Sequence, residues 1–119
     1  MREERGRIQG NVVVYEPFEL WGSIAGDVRV IEGGKLYVRG AIYGNLTAEQ
    51  GGRVHNFGRI TGKVIVYQGA KVINSGVIGG HAINKGGRLY VDGMGTVGGK
   101  VKAKKGDTVI EPGAKVMGA

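Results

Sequence analysis

The sequence predicts an all-β fold: a parallel β-helix, or solenoid, of about six coils with roughly 18 residues in each. Three observations predict it. Glycine makes up 25 of the 119 residues without any collagen triplet, and 41% of the chain is apolar, enough for a packed core. Gly6, Gly22, Gly40, Gly58, Gly76, Gly95 and Gly113 follow one another at steps of 16, 18, 18, 18, 19 and 18 residues. A second glycine ladder (Gly10, Gly26, Gly44, Gly62, Gly80, Gly99) and an apolar one (Ile8, Ile24, Ile42, Ile60, Ile78, Val97) keep phase with the first. A self-similar period of this length is the mark of stacked supersecondary units.

Counted from the first glycine of each period, apolar residues favour positions 3, 7, 9, 15 and 17, as in Ile24, Val28, Val30, Leu36 and Val38. Spacing by two is strand alternation with one face toward a core. Between positions 9 and 15 stands a Gly-Gly or Gly-Ala pair (Gly33-Gly34, Gly51-Gly52, Gly69-Ala70, Gly86-Gly87), the residue type that turns a corner at φ > 0 without steric cost. One period is therefore one coil of short strands and tight bends, each strand pairing with its copies about 4.8 Å above and below. A helical reading fails because no 3.6-residue period exists and each interior glycine would cost about 1 kcal/mol.

Along the chain, residues 1–5 ("MREER") are expected as a charged tail and residues 6–119 as the β-helix domain. The first coil, 6–21, lacks the Gly-Gly corner and carries "YEPFELW", whose Pro17 cannot donate a ladder hydrogen bond and suits an end coil. The fifth coil loses one residue near Asn84 and gains two at Gly93-Met94, which reads as a local bulge. Asn56 and Asn74 occupy the inward position 17 of successive coils and are expected to hydrogen-bond as a structural ladder.

Composition narrows the function. The absence of cysteine excludes disulfides and thiolate metal sites, and no stretch approaches the roughly 20 apolar residues of a membrane helix. The start has no apolar core of a secretory leader, so a cytoplasmic location is expected. A formal charge of +7 draws the chain toward acidic partners. No nucleophile motif is present: Ser23 and Ser75 lie outside any G-x-S-x-G, and no phosphate-cradling Walker spacing occurs. Glu32, Glu49 and Glu111 fall near corners, where solvated loops account for them. A left-handed hexapeptide helix has the same period and would bring acyltransferase or carbonic-anhydrase-like chemistry. Such sites use several histidines, and only His55 and His81 exist here, at different positions of the coil. No catalytic residue, metal or cofactor is expected.

Two outward ladders stand out. Position 14 carries Lys35, Arg53, Lys71 and Arg88, a row suited either to a polyanion or partner, or to guarding against sideways aggregation. It has no interleaved stacking aromatics of the kind a single-strand nucleic-acid site uses. Position 16 carries Tyr37, His55, Ile73 and Tyr90, a candidate partner face or ordinary cross-strand stacking. A further cluster, Lys100, Lys102, Lys104 and Lys105, lies near the C-terminal end.

The pattern G-x-I-x-G-x-V, then a corner, then V-x-V, resembles the bactofilins, bacterial polymer-forming cytoskeletal proteins. The segments "GSIAGDVRVIEGGKLYVR", "GAIYGNLTAEQGGRVHNF", "GRITGKVIVYQGAKVINS" and "GTVGGKVKAKKGDTVIEP" carry the likeness, over residues 6–119. The resemblance implies a right-handed, single-stranded, roughly triangular β-helix whose subunits join end to end into filaments without nucleotide. It makes the principal partner another copy of the chain, in contact through the first coil (Val12, Val14, Phe18, Leu20, Trp21) and the last (Val109, Val116, Met117). The alternative is a small β-helix binding module that captures one partner protein, for example an immunity protein for a toxin. Nucleic acid and anionic lipid rank behind both.

Overall fold

The computed structural model describes residues 1–118, which form a β-solenoid without any helix. In chain order, β1 (Arg2–Glu4) precedes the first coil of β2 (Arg7–Gln9), β3 (Val12–Val14) and β4 (Pro17–Leu20). The second coil holds β5 (Ser23–Ala25), β6 (Val28–Val30) and β7 (Lys35–Val38), and the third β8 (Ala41–Ile42), β9 (Leu46–Ala48) and β10 (Arg53–Asn56). The fourth holds β11 (Arg59–Ile60), β12 (Val64–Val66) and β13 (Lys71–Asn74). Then follow β14 (Val77–Ile78) with β15 (Ala82–Val91), β16 (Thr96–Val97) with β17 (Val101–Ile110), and β18 (Lys115–Val116).

Every pairing is parallel and joins a strand to its copy in the next coil, for instance Leu36 to Val54 to Val72. The result is three faces. Face A stacks β2, β5, β8, β11, β14, β16 and β18. Face B stacks β3, β6, β9 and β12 on the first half of β15, and face C stacks β1, β4, β7, β10 and β13 on its second half, with β17 following β15 on both. The expected positions 3, 7, 9, 15 and 17 point inward: Ile24, Val28, Val30, Leu36 and Val38 are each at most 1% exposed. No coil can bury this column alone, so each stabilises its neighbours.

The two kinds of glycine have different physical reasons. Gly33, Gly51 and Gly69, at the corner between faces B and C, have φ of 86°, 82° and 83°, which glycine adopts without strain. Gly22, Gly40, Gly58 and Gly76, at the corner between faces C and A, do not. There a Cβ would land on the carbonyl of the coil before, Gly40 on Gly22 for example. Those ladder glycines exist because successive coils approach too closely for any side chain.

Asparagines fill three of the inward positions. Asn56 donates to the Asn74 side-chain oxygen at 2.9 Å, and Asn74 to the Thr96 carbonyl at 3.1 Å, the expected ladder. Asn84 has a separate task. The fifth and sixth coils round the B–C corner one residue short, so Asn84 pairs with Ala103 and Leu89 with Thr108 across a register shift. The fully buried Asn84 amide spans the gap. It accepts from the Gly86 and Gly87 N–H groups at 3.0 and 2.9 Å and donates to the carbonyls of Gly87 and Asp107 at 3.1 and 3.0 Å. The two added residues at Gly93-Met94 project as the expected bulge, tied by the Met94 N–H to Asp92 at 2.9 Å.

Residues 2–4, expected within a tail, are instead strand β1, paired in register with β4. This sets Arg2 beside Phe18 and Glu4 beside Leu20, one layer above the first coil.

Candidate functional surfaces: two end coils and face C

The two ends of the solenoid differ. At the N-terminal end β1 covers face C, with the Arg2 guanidinium 4.9 Å from the centre of the Phe18 ring. Phe18 and Leu20 are 2% and 0% exposed and Val14 is 1% exposed, so these three expected contact residues are core, not end surface. For Phe18 and Leu20 the correction follows from β1: a polar sequence extends the sheet over β4 because its backbone pairs, whatever its side chains. Val12 remains half-buried at the edge. Trp21 lies at the C–A corner between the guanidinium groups of Arg5 and Arg39, both 5.1 Å from its ring. Arg39 also stacks on Phe57 at 4.7 Å, so a column of alternating cations and rings, Arg5–Trp21–Arg39–Phe57, climbs this corner. Sequence reading missed it, although the order of residues at position 18 was legible.

At the C-terminal end the inward positions of the last coil are Val101, Ala103, Thr108 and Ile110, in register with buried Ala82, Asn84, Leu89 and Val91. Nothing among the described residues lies over them, and Ile110 is 47% exposed. Val109, expected at this end, pairs with Tyr90 and faces outward. The short corner shifts the count by one, and a one-residue shift exchanges the two sides of a strand. Val116 and Met117 lie where expected, half-buried and exposed on the final face A rung.

Both outward ladders on face C hold their register. Lys35, Arg53, Lys71 and Arg88 align on β7, β10, β13 and β15, and Tyr37, His55, Ile73 and Tyr90 align beside them. The second ladder is half-buried at every step, less open than a free apolar stripe. Lys35 and Lys71 lean over the rings of Tyr37 and Tyr90, with Nζ 5.5 and 5.6 Å from the ring centres. None of the four cations enters an ion pair among the described residues. The acids nearby are engaged elsewhere: Glu49 accepts from Arg29 at 2.6 and 3.1 Å, and Glu19 from Arg39 at 2.7 Å.

His55 sits in a three-coil network. Its Nε2 is 2.9 Å from the Ser75 Oγ, and Ser75 donates a short hydrogen bond to Asp92. Its ring stacks on Phe57 at 3.9 Å. Burial pushes the His55 pKa below the usual histidine range, opposed by the Asp92 charge, with Arg39 and Lys71 adding to the lowering. The Ser75 hydroxyl holds the Asp92 carboxyl below the usual range, against a smaller opposing effect of burial. With the serine proton committed to Asp92, Nε2 is left to donate to Ser75. A base that activates a nucleophile must accept from it, so this order is not that of a nucleophile with its general base.

His81 has a backbone task. Its Nδ1 accepts the Lys100 N–H at 2.9 Å. Asn11, Asp27 and Asn45, at the same position of earlier coils, accept the N–H groups of Asp27, Asn45 and Lys63 at 2.8, 2.8 and 3.0 Å. This ladder satisfies strand-entry donors at the A–B corner. Among the described residues no group of three or more His, Asp or Glu side chains converges on a point that could hold a metal. No family model, no curated protein and no solved structure matches this chain.

Proposed function

We propose that this chain is a structural scaffold subunit, bactofilin-like, that self-associates end to end without nucleotide. The observation that carries the reading is the uncovered last coil. Val101, Ala103, Ile110 and Val116 continue a core column and present strand edges that can template another chain. The repeat pattern that resembles the bactofilins supports the same reading, because a stack of coils needs no site other than its ends. The contact favours like ends. Stacking the last coil on β1 of another copy would press Ile110 against Glu4 and Thr108 against Arg2, and burying charges beside apolar groups opposes that. Two last coils related by a two-fold axis bury apolar edge against apolar edge.

Light scattering and negative-stain electron microscopy over a range of concentration and salt test this. Filaments one solenoid in width, lost on Ile110→Lys, are the expected outcome. A monomer at every condition overturns the reading and leaves capture of a single partner protein as its replacement.

A further inference from the structure

Face C carries a row of four cations, none of which enters an ion pair among the described residues, although Asp107 pairs in register with Arg88 at the C-terminal end of the row. Lys35, Arg53, Lys71 and Arg88 stand on adjacent parallel strands, one strand spacing apart. Like charges so placed oppose folding. The tract turns the corner at its C-terminal end, where Lys85 pairs in register with Lys105. The corner between is nearly bare backbone: Gly69, Ala70, Gly86 and Gly87 line a shallow groove with Arg53, Lys71 and Arg88, and Asp107 is its one acid. An anion can reach Arg53 and Lys71 across nearly bare backbone, with Asp107 beside Arg88 the one opposing charge in the groove.

We propose that this edge, Lys35–Arg53–Lys71–Arg88 with Lys85 and Lys105 around the corner, binds the phosphate backbone of a nucleic-acid duplex without reading its bases. A net charge of +7 with six of the 17 Lys and Arg residues along one edge is the electrostatic footprint of such binding. A duplex offers the dense line of charge that a rigid row can meet at several points at once. Single strands are disfavoured because they need free rings for base stacking. On this face Tyr37 and Tyr90 are half-buried under Lys35 and Lys71, and the His55 ring is against Phe57. A lipid surface needs apolar side chains projecting past the cations, and Ile73 beside the row is half-buried. Base edges are out of reach because no helix or ribbon projects from the flat face into a groove.

Fluorescence anisotropy of a labelled mixed-sequence duplex, titrated with the full chain between about 50 and 200 mM salt, tests the proposal. Sequence-indifferent binding is expected, with a slope of log affinity on log salt of about −3 to −4 if the row neutralises four phosphates. Replacing all four row residues by glutamine should weaken binding at least about tenfold and flatten that slope. A control variant replaces Arg7, Arg59, Lys63 and Lys115, exposed cations elsewhere, by glutamine and removes the same charge. It should keep the wild-type slope. Equal losses in the two variants, tighter binding to a single strand of the same sequence, or binding to anionic vesicles but not to the duplex would each overturn the proposal. So would no binding at the lowest salt, a test that needs no variant.

Discussion

At the scale of single residues, the side chains with most at stake are polar ones, half-buried on the outer surface or fully buried inside the stack. His55 titrates near 6.5 when unfolded, and burial sets its folded value lower. Between the two values the unfolded chain binds a proton that the folded chain does not, so stability falls as pH falls through 6.5 toward the lower folded value. Asp92 acts in the same direction further down. Its stabilisation is full above 3.8 and is lost as pH falls through the depressed folded value. The melting temperature should therefore decline with acid in two stages. His55→Gln should abolish the first and keep the second, and a wild-type melting temperature that is flat from about pH 8 to pH 5 would contradict this. Asn84 raises the stakes through geometry instead of charge. Asn84→Ala strips the acceptor from two corner N–H groups, that of Gly87 buried and that of Gly86 half-buried. It should cost about 2–6 kcal/mol in chemical denaturation, at about 1–3 kcal/mol for each unsatisfied group. Its place at an inward position was legible in the sequence. Its role was not, because that role depends on two neighbouring coils sharing the same short corner.

At the scale of the element, the repeats were legible because each strand answers to the same neighbours in every coil. Positions 24, 28, 30, 36 and 38 announced their burial by alternation alone. The ladder glycines were legible as a period but not as a contact, since a close approach of coils is a property of the stack. That difference can be tested within a single ladder. Gly40 lies against the Gly22 carbonyl, whereas the equivalent Gly6, at the end of the stack, would meet only the Glu4 carboxylate at 3.5 Å. Gly40→Ala should force two coils apart and cost at least about 2 kcal/mol, within the range of overpacking a tight site. Gly6→Ala should be neutral or slightly stabilising, because glycine gives up more chain entropy on folding than alanine. Equal effects in thermal melts would mean that the ladder serves turn geometry and not spacing. The strand that escaped sequence reading, β1, shows the opposite limit. "REE" has no apolar alternation, and it pairs because β4 offers an unfilled edge.

At the scale of the whole molecule, the ends decide what the stack can do, and they are where periodicity says least. A period predicts what lies between two coils and not what lies beyond the last one. Phe18 was taken for surface for that reason, because β1 was not foreseen, whereas Val109 was misplaced by one residue because the short corner shifts the count. The corrected ends make a sharper statement about assembly. In the proposed assembly the last coil would join through apolar groups, so its contact should strengthen on warming from low temperature and persist in high salt. The N-terminal end presents Arg2, Glu3 and Glu4 along one strand edge. Turned about a two-fold axis through Glu3, this edge sets Arg2 opposite Glu4 of the second copy and Glu4 opposite its Arg2. That contact is ionic and exposed, so salt should weaken it. Growth should then proceed in two steps with opposite responses to salt: dimers that form first and survive, and longer polymers that dissolve back to dimers as salt rises. Arg2→Glu should stop assembly at a salt-resistant dimer, while Ile110→Lys should leave only the N-terminal contact, a dimer at low salt that falls to monomer as salt rises. Analytical ultracentrifugation of the two variants at low and high salt reads both steps. A monomeric Arg2→Glu chain, or polymers indifferent to salt, would show that the two ends do not divide the work in this way.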